Sequence, residues 1–118
     1  MAPVLELQKT TCSNYGASFD PPVPNSRMGV ALQSLADKPT YGIRVNPENG
    51  TNGWYIWAGE RSDAKDFFQP LCLEHIYDYC ALAAPFLALP PGWAFINDGS
   101  YADVWFEPEH LKSSDQNN

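Results

Sequence analysis

Residues 53–60 and 85–95 hold three of the chain's four tryptophans, and glycine and proline bound or interrupt both stretches. Ring side chains remove much apolar area from water at little rotamer cost, while proline and glycine fix the turns between them. That combination favours short elements around one small core with a rigid surface, and it points away from a catalytic centre.

The 118 residues suffice for a single domain with its own core. A hydrophobic content of 44% with 14% aromatic is that of a globular chain, so disorder is expected only at the ends. Fourteen acidic residues against seven basic ones give a net charge of -7. Such a field repels phosphate backbones and anionic lipid, which argues against nucleic acid and membranes as partners and makes a basic protein a natural one. The same charge also serves solubility. Residues 1–9 lack a basic segment followed by a sustained apolar run, and no later stretch approaches a membrane-spanning length, so a cytoplasmic protein is expected. Cys12, Cys72 and Cys80 are odd in number, and eight residues of helix would hold the last two about 12 Å apart, too far for a disulfide. Reduced thiols are expected.

Along the chain, residues 1–26 read as an extension in which Val4, Leu5 and Leu7 belong to an edge strand and Asp20 to Pro24 form an extended connector. Met28, Ala31, Leu32 and Leu35 recur at i, i+3, i+4 and i+7, predicting a short helix over 27–36 capped by Asn25 or Ser26. Tyr41, Ile43 and Val45 share one face of a half-buried strand with Arg44 opposite. After a turn-rich loop, residues 54–58 form a strand apolar on both faces, close enough to pair with it as an antiparallel hairpin. Trp54 and Ile56 lie on one of its faces, Tyr55 and Trp57 on the other, and at least one must be core.

Pro70 suits the first position of a helix over 70–83, whose apolar stripe is Leu73, Ile76, Cys80 and Ala83. Pro90, Pro91 and Gly92 suit a type II turn, with Gly92 taking the positive φ. Residues 93–96 and 103–106 then form a second hairpin around the turn 97–100, and 112–118 is a polar tail. The expected fold class is α+β, an antiparallel sheet of two hairpins with two helices packed on one face.

The chemistry-bearing residues are sparse. Cys72 and His75 are three apart, but no second pair completes a tetrahedral zinc site, so no metal is expected. A nucleophilic cysteine needs positive surroundings, and these are acidic. Neither a nucleophile elbow nor a phosphate-cradling loop occurs, and no cofactor is expected. Carboxylates recur in pairs, Asp63 with Asp66, Asp98 with Asp103, and Glu107 with Glu109. Solvated loop charge is their default reading, since glycosidase-like work requires two facing each other across a cleft. Most rings are assigned to packing, with Tyr55 and Tyr101 as better contact candidates.

The runs Met28-Gly29-Val30-Ala31-Leu32, Tyr41-Gly42-Ile43-Arg44, Gly53-Trp54-Tyr55-Ile56-Trp57-Ala58-Gly59-Glu60, Asp66-Phe67-Phe68-Gln69-Pro70-Leu71, Leu89-Pro90-Pro91-Gly92-Trp93-Ala94-Phe95 and Tyr101-Ala102-Asp103-Val104-Trp105-Phe106 together resemble a family of small bacterial immunity proteins. These are the cognate inhibitors encoded beside polymorphic or type VI secreted toxins. The resemblance covers 27–111 and leaves 1–26 and 112–118 outside. It implies a non-enzymatic protein that binds a toxin and blocks it. Joined to the acidic composition, it directs attention to the loops 60–66 and 98–103, with Glu60, Asp63, Asp66, Asp98 and Asp103 as charged contacts to a toxin's basic active-site surface and Tyr101 as an anchor. A non-inhibitory effector adaptor or chaperone is the alternative, followed by a small carbohydrate-binding or hydrolase domain.

Overall fold

The computed structural model of the chain describes residues 2–48, 50–62 and 64–111, so Asp63 and the tail 112–118 lie outside the described residues. The strands β1 (Arg27–Val30), β2 (Thr40–Arg44), β3 (Thr51–Ala58), β4 (Gln69–Cys72), β5 (Trp93–Asn97) and β6 (Ala102–Phe106) form one sheet in the order β4-β1-β3-β2-β5-β6. The helices are α1 (Ala2–Tyr15) and α2 (Leu73–Tyr79), with short 3-10 turns at Leu32–Ser34, Ala84–Phe86 and Pro108–Leu111. Both expected hairpins are present, β2 with β3 and β5 with β6, and antiparallel pairing of β2 with β5 joins them. The class is α+β as expected. The sheet, however, is mixed, because β1 runs parallel to β3.

The expected edge strand at residues 4–7 is instead the first half of α1. Its inward stripe is polar: Gln8, Thr11 and Cys12 are buried at i, i+3 and i+4, while Leu5 and Leu7 are exposed. Gln8 Nε2 donates to the Ala84 carbonyl at 2.8 Å and the Cys12 thiol to that of Ala88 at 3.5 Å. Apolar periodicity cannot reveal a helix that docks through hydrogen bonds to a neighbouring loop.

The expected helix over 27–36 is strand β1 followed by a 3-10 turn. Met28 and Val30 alternate into the core, a period of two that the helical spacing of Met28, Ala31 and Leu32 had masked. Pairing on both sides, with β3 and β4, overrides the local preference. The helix expected over 70–83 shrinks to the seven residues of α2. Pro70 lies in β4, an edge strand, where a missing N–H need not interrupt a ladder. Leu73, Ile76, Cys80 and Ala83 do enter the core, although the last two stand beyond the helix.

Strand β2 is inverted relative to expectation. Thr40, Gly42 and Arg44 are its buried positions, and Tyr41 and Ile43 are only half-buried on the other face. Gly42 is required there, since a Cβ would strike the Phe95 ring and come within 2.8 Å of Ile56 Cδ1. Arg44 is 3% exposed and has a structural task. Its Nε donates to Asn52 O at 2.9 Å, and its Nη1 donates to Asp20 O and Leu89 O, each at 2.7 Å. In return the Arg44 carbonyl accepts the Gly92 N–H at 2.7 Å. Burial lowers the pKa of Arg44 and the nearby charge of Asp20 opposes that shift.

One cluster combines Cys12 of α1, Leu73 and Ile76 of α2, and Phe86, Leu87 and Leu89 of the connecting loop with the inner face of the sheet, including Met28, Val30, Trp54, Ile56, Phe95 and Val104. Trp54 and Ile56 are fully buried. The Trp54 indole donates to Leu87 O at 2.9 Å and meets Phe95 edge-on at 5.7 Å. The expected turn before β5 is also found: Gly92 has φ of 98° and the Trp93 N–H reaches Pro90 O at 3.2 Å.

Replacing Arg44 by Met removes the donors of three connections, so Arg44→Met should destabilise the fold by about 3 kcal/mol in urea unfolding. Arg44→Lys, with a single nitrogen in place of the fork, should recover only part of that loss.

Candidate functional site

Both helices bury residues in the inner-face cluster, and the opposite face of the sheet is a grid of side chains set by strand register. Tyr55 pairs with Ile43, Ile43 with Ala94, and Ala94 with Trp105; one step along, Trp57 pairs with Tyr41, Tyr41 with Ile96, and Ile96 with Asp103. Alternation puts all eight on this one face. Tyr41 stacks on Trp57 with centroids 5.4 Å apart. Phe68, from the loop after β3, meets Tyr55 at 5.1 Å and Trp57 at 6.1 Å, both edge-on, and Phe67 adjoins it at 4.9 Å. Trp105 is 40% exposed at the far side of the grid. Cross-strand ring pairs of this kind stiffen a sheet as well as presenting a surface.

The same register gathers the acidic loops. Thr40 pairs with both Ala58 and Asn97, and Val30 with both Ile56 and Gln69. The segment leaving β3, the one entering β4 and the β5–β6 turn therefore lie at one end of the sheet. Glu60 and Asp66 are exposed in the first two, and Asp98 and Tyr101 belong to the third, with Tyr101 59% exposed. Asp103 stands one step inside that end, exposed on the ring face beyond Ile96. Asp63, expected with this group, falls outside the described residues.

Two of these carboxylates have local structural partners. Asp98 Oδ1 accepts the backbone N–H of Ser100 at 2.8 Å and of Tyr101 at 2.6 Å. These two bonds, Tyr101's first, hold its pKa below the ordinary aspartate value, and the charge of Lys38 acts the same way. Asp103 Oδ1 accepts the Val104 N–H at 2.9 Å. The bonds from Asp98 N to Tyr101 O and from Glu107 N to Gly92 O set the ladder phase, turning that Val104 N–H away from β5 toward the outer edge. Asp103 thus caps an edge donor, one of the ways a sheet avoids unwanted pairing.

Sequence reasoning singled out Tyr55 and Tyr101 as contact candidates and did not single out Tyr41, Phe68 or Arg61, which the structure brings to the same ring cluster as Tyr55. The Arg61 guanidinium lies over Trp57 at 5.2 Å and over Phe68 at 5.6 Å. The available signal was the pairing of two strands whose alternate residues, Tyr41 with Ile43 and Tyr55 with Trp57, are ring-rich on the face away from Trp54.

A groove of about 440 Å³ opens elsewhere, between α1, the proline connector and α2, with Leu5, Pro22, Leu73, Glu74, Tyr77 and Asp78 among its lining. A hydrolytic acid there would need a raised pKa. Instead the Cys72 thiol, donating to Glu74 Oε1 at 2.9 Å, and the Asn25 N–H hold Glu74 below its usual range. The three cysteines are free thiols. Among the described residues no group of three or more His, Cys, Asp or Glu converges as a metal site, and no helix is long and apolar enough to cross a membrane.

The Imm33-like domain family, an immunity-protein family of bacterial toxin systems, matches residues 7–107, and the chain belongs to it. The matched stretch takes in most of α1 as well as all six strands. No curated protein and no solved structure matches the chain significantly.

Because the folded-state pKa of Asp98 is depressed, its contribution to stability is present above its unfolded pKa and is lost as pH falls through the folded value. In an NMR titration the Ser100 and Tyr101 amide shifts should move together, with a midpoint below that of an ordinary aspartate, and Asp98→Ala should abolish the shared transition. At the sheet edge, Asp103→Ala should raise the concentration dependence of the weight-average mass in sedimentation equilibrium. An unchanged mass would mean that the cap does not restrain pairing.

Proposed function

We propose that this immunity-family protein neutralises its cognate secreted toxin in the cytoplasm by laying the acidic end of its sheet on a basic surface at or beside the toxin's active site. The supporting observation is the strand register, which brings Glu60, Asp66, Asp98 and Tyr101 to one end and puts Asp103 on the adjoining face. Asp63 is assigned to the same contact from its place in the 60–66 segment. A net charge of -7 favours rapid capture of a cationic partner, since complementary fields raise association rates and suppress wrong pairings. If the toxin is a nuclease, the carboxylates stand where its substrate's phosphates would. Delivery by a type VI or another polymorphic-toxin system fits such an inhibitor. Its work is binding, with no reaction of its own.

Co-expression with the secreted protein encoded beside it tests the reading. That protein should kill cells lacking this chain, spare cells that contain it, and co-purify with it. If the neighbour stays harmless without this chain yet still binds it, the adaptor reading takes over. The double variant Glu60→Lys, Asp66→Lys should slow association by about tenfold or more at low salt and flatten its salt dependence. An unchanged rate would remove these loops from the interface.

A further inference from the structure

Arg61 is exposed, in the irregular segment after β3, yet its guanidinium rests over the rings of Trp57 and Phe68 at 5.2 and 5.6 Å. Trp57 is backed by Tyr41, stacked at 5.4 Å, and Phe68 by Tyr55 at 5.1 Å. The four rings therefore form a braced seat whose electron-rich faces accept a planar cation. The chain already places one of its own cations there. Acidic groups stand near the seat: Glu60 and Asp66 lie on the same loop, which also carries Lys65, and Asp103 stands at the end of the Trp57-Tyr41-Ile96 row.

We propose that this ring seat is a recognition site for an arginine side chain on a basic protein partner, and that Arg61 is a placeholder which the incoming guanidinium displaces. The inference rests on the reading that the chain binds a cationic toxin, and it specifies the chemistry of contact. Acidic neighbours attract the partner's positive surface, and the rings then select a flat guanidinium over a compact ammonium, because only the former stacks as well as attracts. Ile43, Ile96 and Trp105 continue the face beyond the seat and take the apolar flanks of the arginine's loop or strand. Arg61 keeps the rings covered until the partner arrives. Its displacement onto the acidic rim costs little, since the side chain is already exposed to water.

The test uses the whole protein and small probes, so it does not depend on the toxin. The tryptophan indole N–H signals are followed by NMR during titration with arginine amide or lysine amide, the Trp57 signal being assigned by its loss in Trp57→Phe. In Arg61→Ala the Trp57 indole should shift on adding arginine amide, with apparent affinity about two- to fivefold above that of the wild type. Lysine amide should bind more weakly. The Trp54 indole, donating to Leu87 O on the other face, should not move and serves as the folding control. No Trp57 shift in Arg61→Ala, equal affinity in both proteins, or no preference for arginine would each overturn the proposal. The toxin co-expression assay reads the broader function separately. Seat binding without neutralisation would leave the site standing and remove its role, whereas neutralisation without seat binding would do the reverse.

Discussion

The fold hinges on a buried guanidinium. Three segments converge on Arg44: the proline connector at Asp20, the start of β3 at Asn52, and the loop before the prolines at Leu89. Each offers a carbonyl to the guanidinium, and an arginine's planar fork of five N–H donors is suited to serving several diverging acceptors at once. Desolvating a cation is costly, and the offset comes from these bonds, from the nearby charge of Asp20, and from the Trp54 ring 5.8 Å away. Since the Arg44 carbonyl also receives the Gly92 N–H, the residue ties the turn before β5 to the sheet from both its side chain and its backbone.

This also explains what could be read from the chain and what could not. The hairpins and the type II turn were legible because their signals are local: glycine or proline at the required positions between short apolar runs. Strands β1 and β4 were not. Met28 and Val30 sit in a stretch that satisfies helical spacing equally well, and Pro70 is as acceptable on a sheet edge as at a helix start. What decides them is pairing between residues far apart in the chain, β1 with β3 and β1 with β4. Arg44 misled for a related reason: a charged residue opposite Tyr41, Ile43 and Val45 normally marks the wet face, and here it marks the dry one. Of the site, the exposed carboxylates and Tyr101 could be singled out by type and position. Their common placement at one end of the sheet, and the bracing of Trp57 between Tyr41 and Phe68, depend on strand order.

The two faces of the sheet divide the work. On the inner face Trp54, Phe95 and Phe86 pack with both helices, and the Trp54 indole fixes the 84–89 loop through Leu87. With stability supplied from that side, Tyr41, Tyr55, Phe68 and Trp105 of the outer face remain partly exposed, while Trp57 is buried with Arg61 over its ring. On the proposed toxin-binding role, a rigid, preorganised patch loses less freedom on association than a flexible one would. Membership of an immunity-protein family gives that division a biological sense.

The position of β1 in the sheet has a further consequence for how the protein comes into being. Both its neighbours, β3 and β4, follow it in the chain, and α1 docks on carbonyls 76 residues downstream. During synthesis β1 and α1 are therefore made before the strands and the loop they pack on, and neither can take its place until those downstream segments exist.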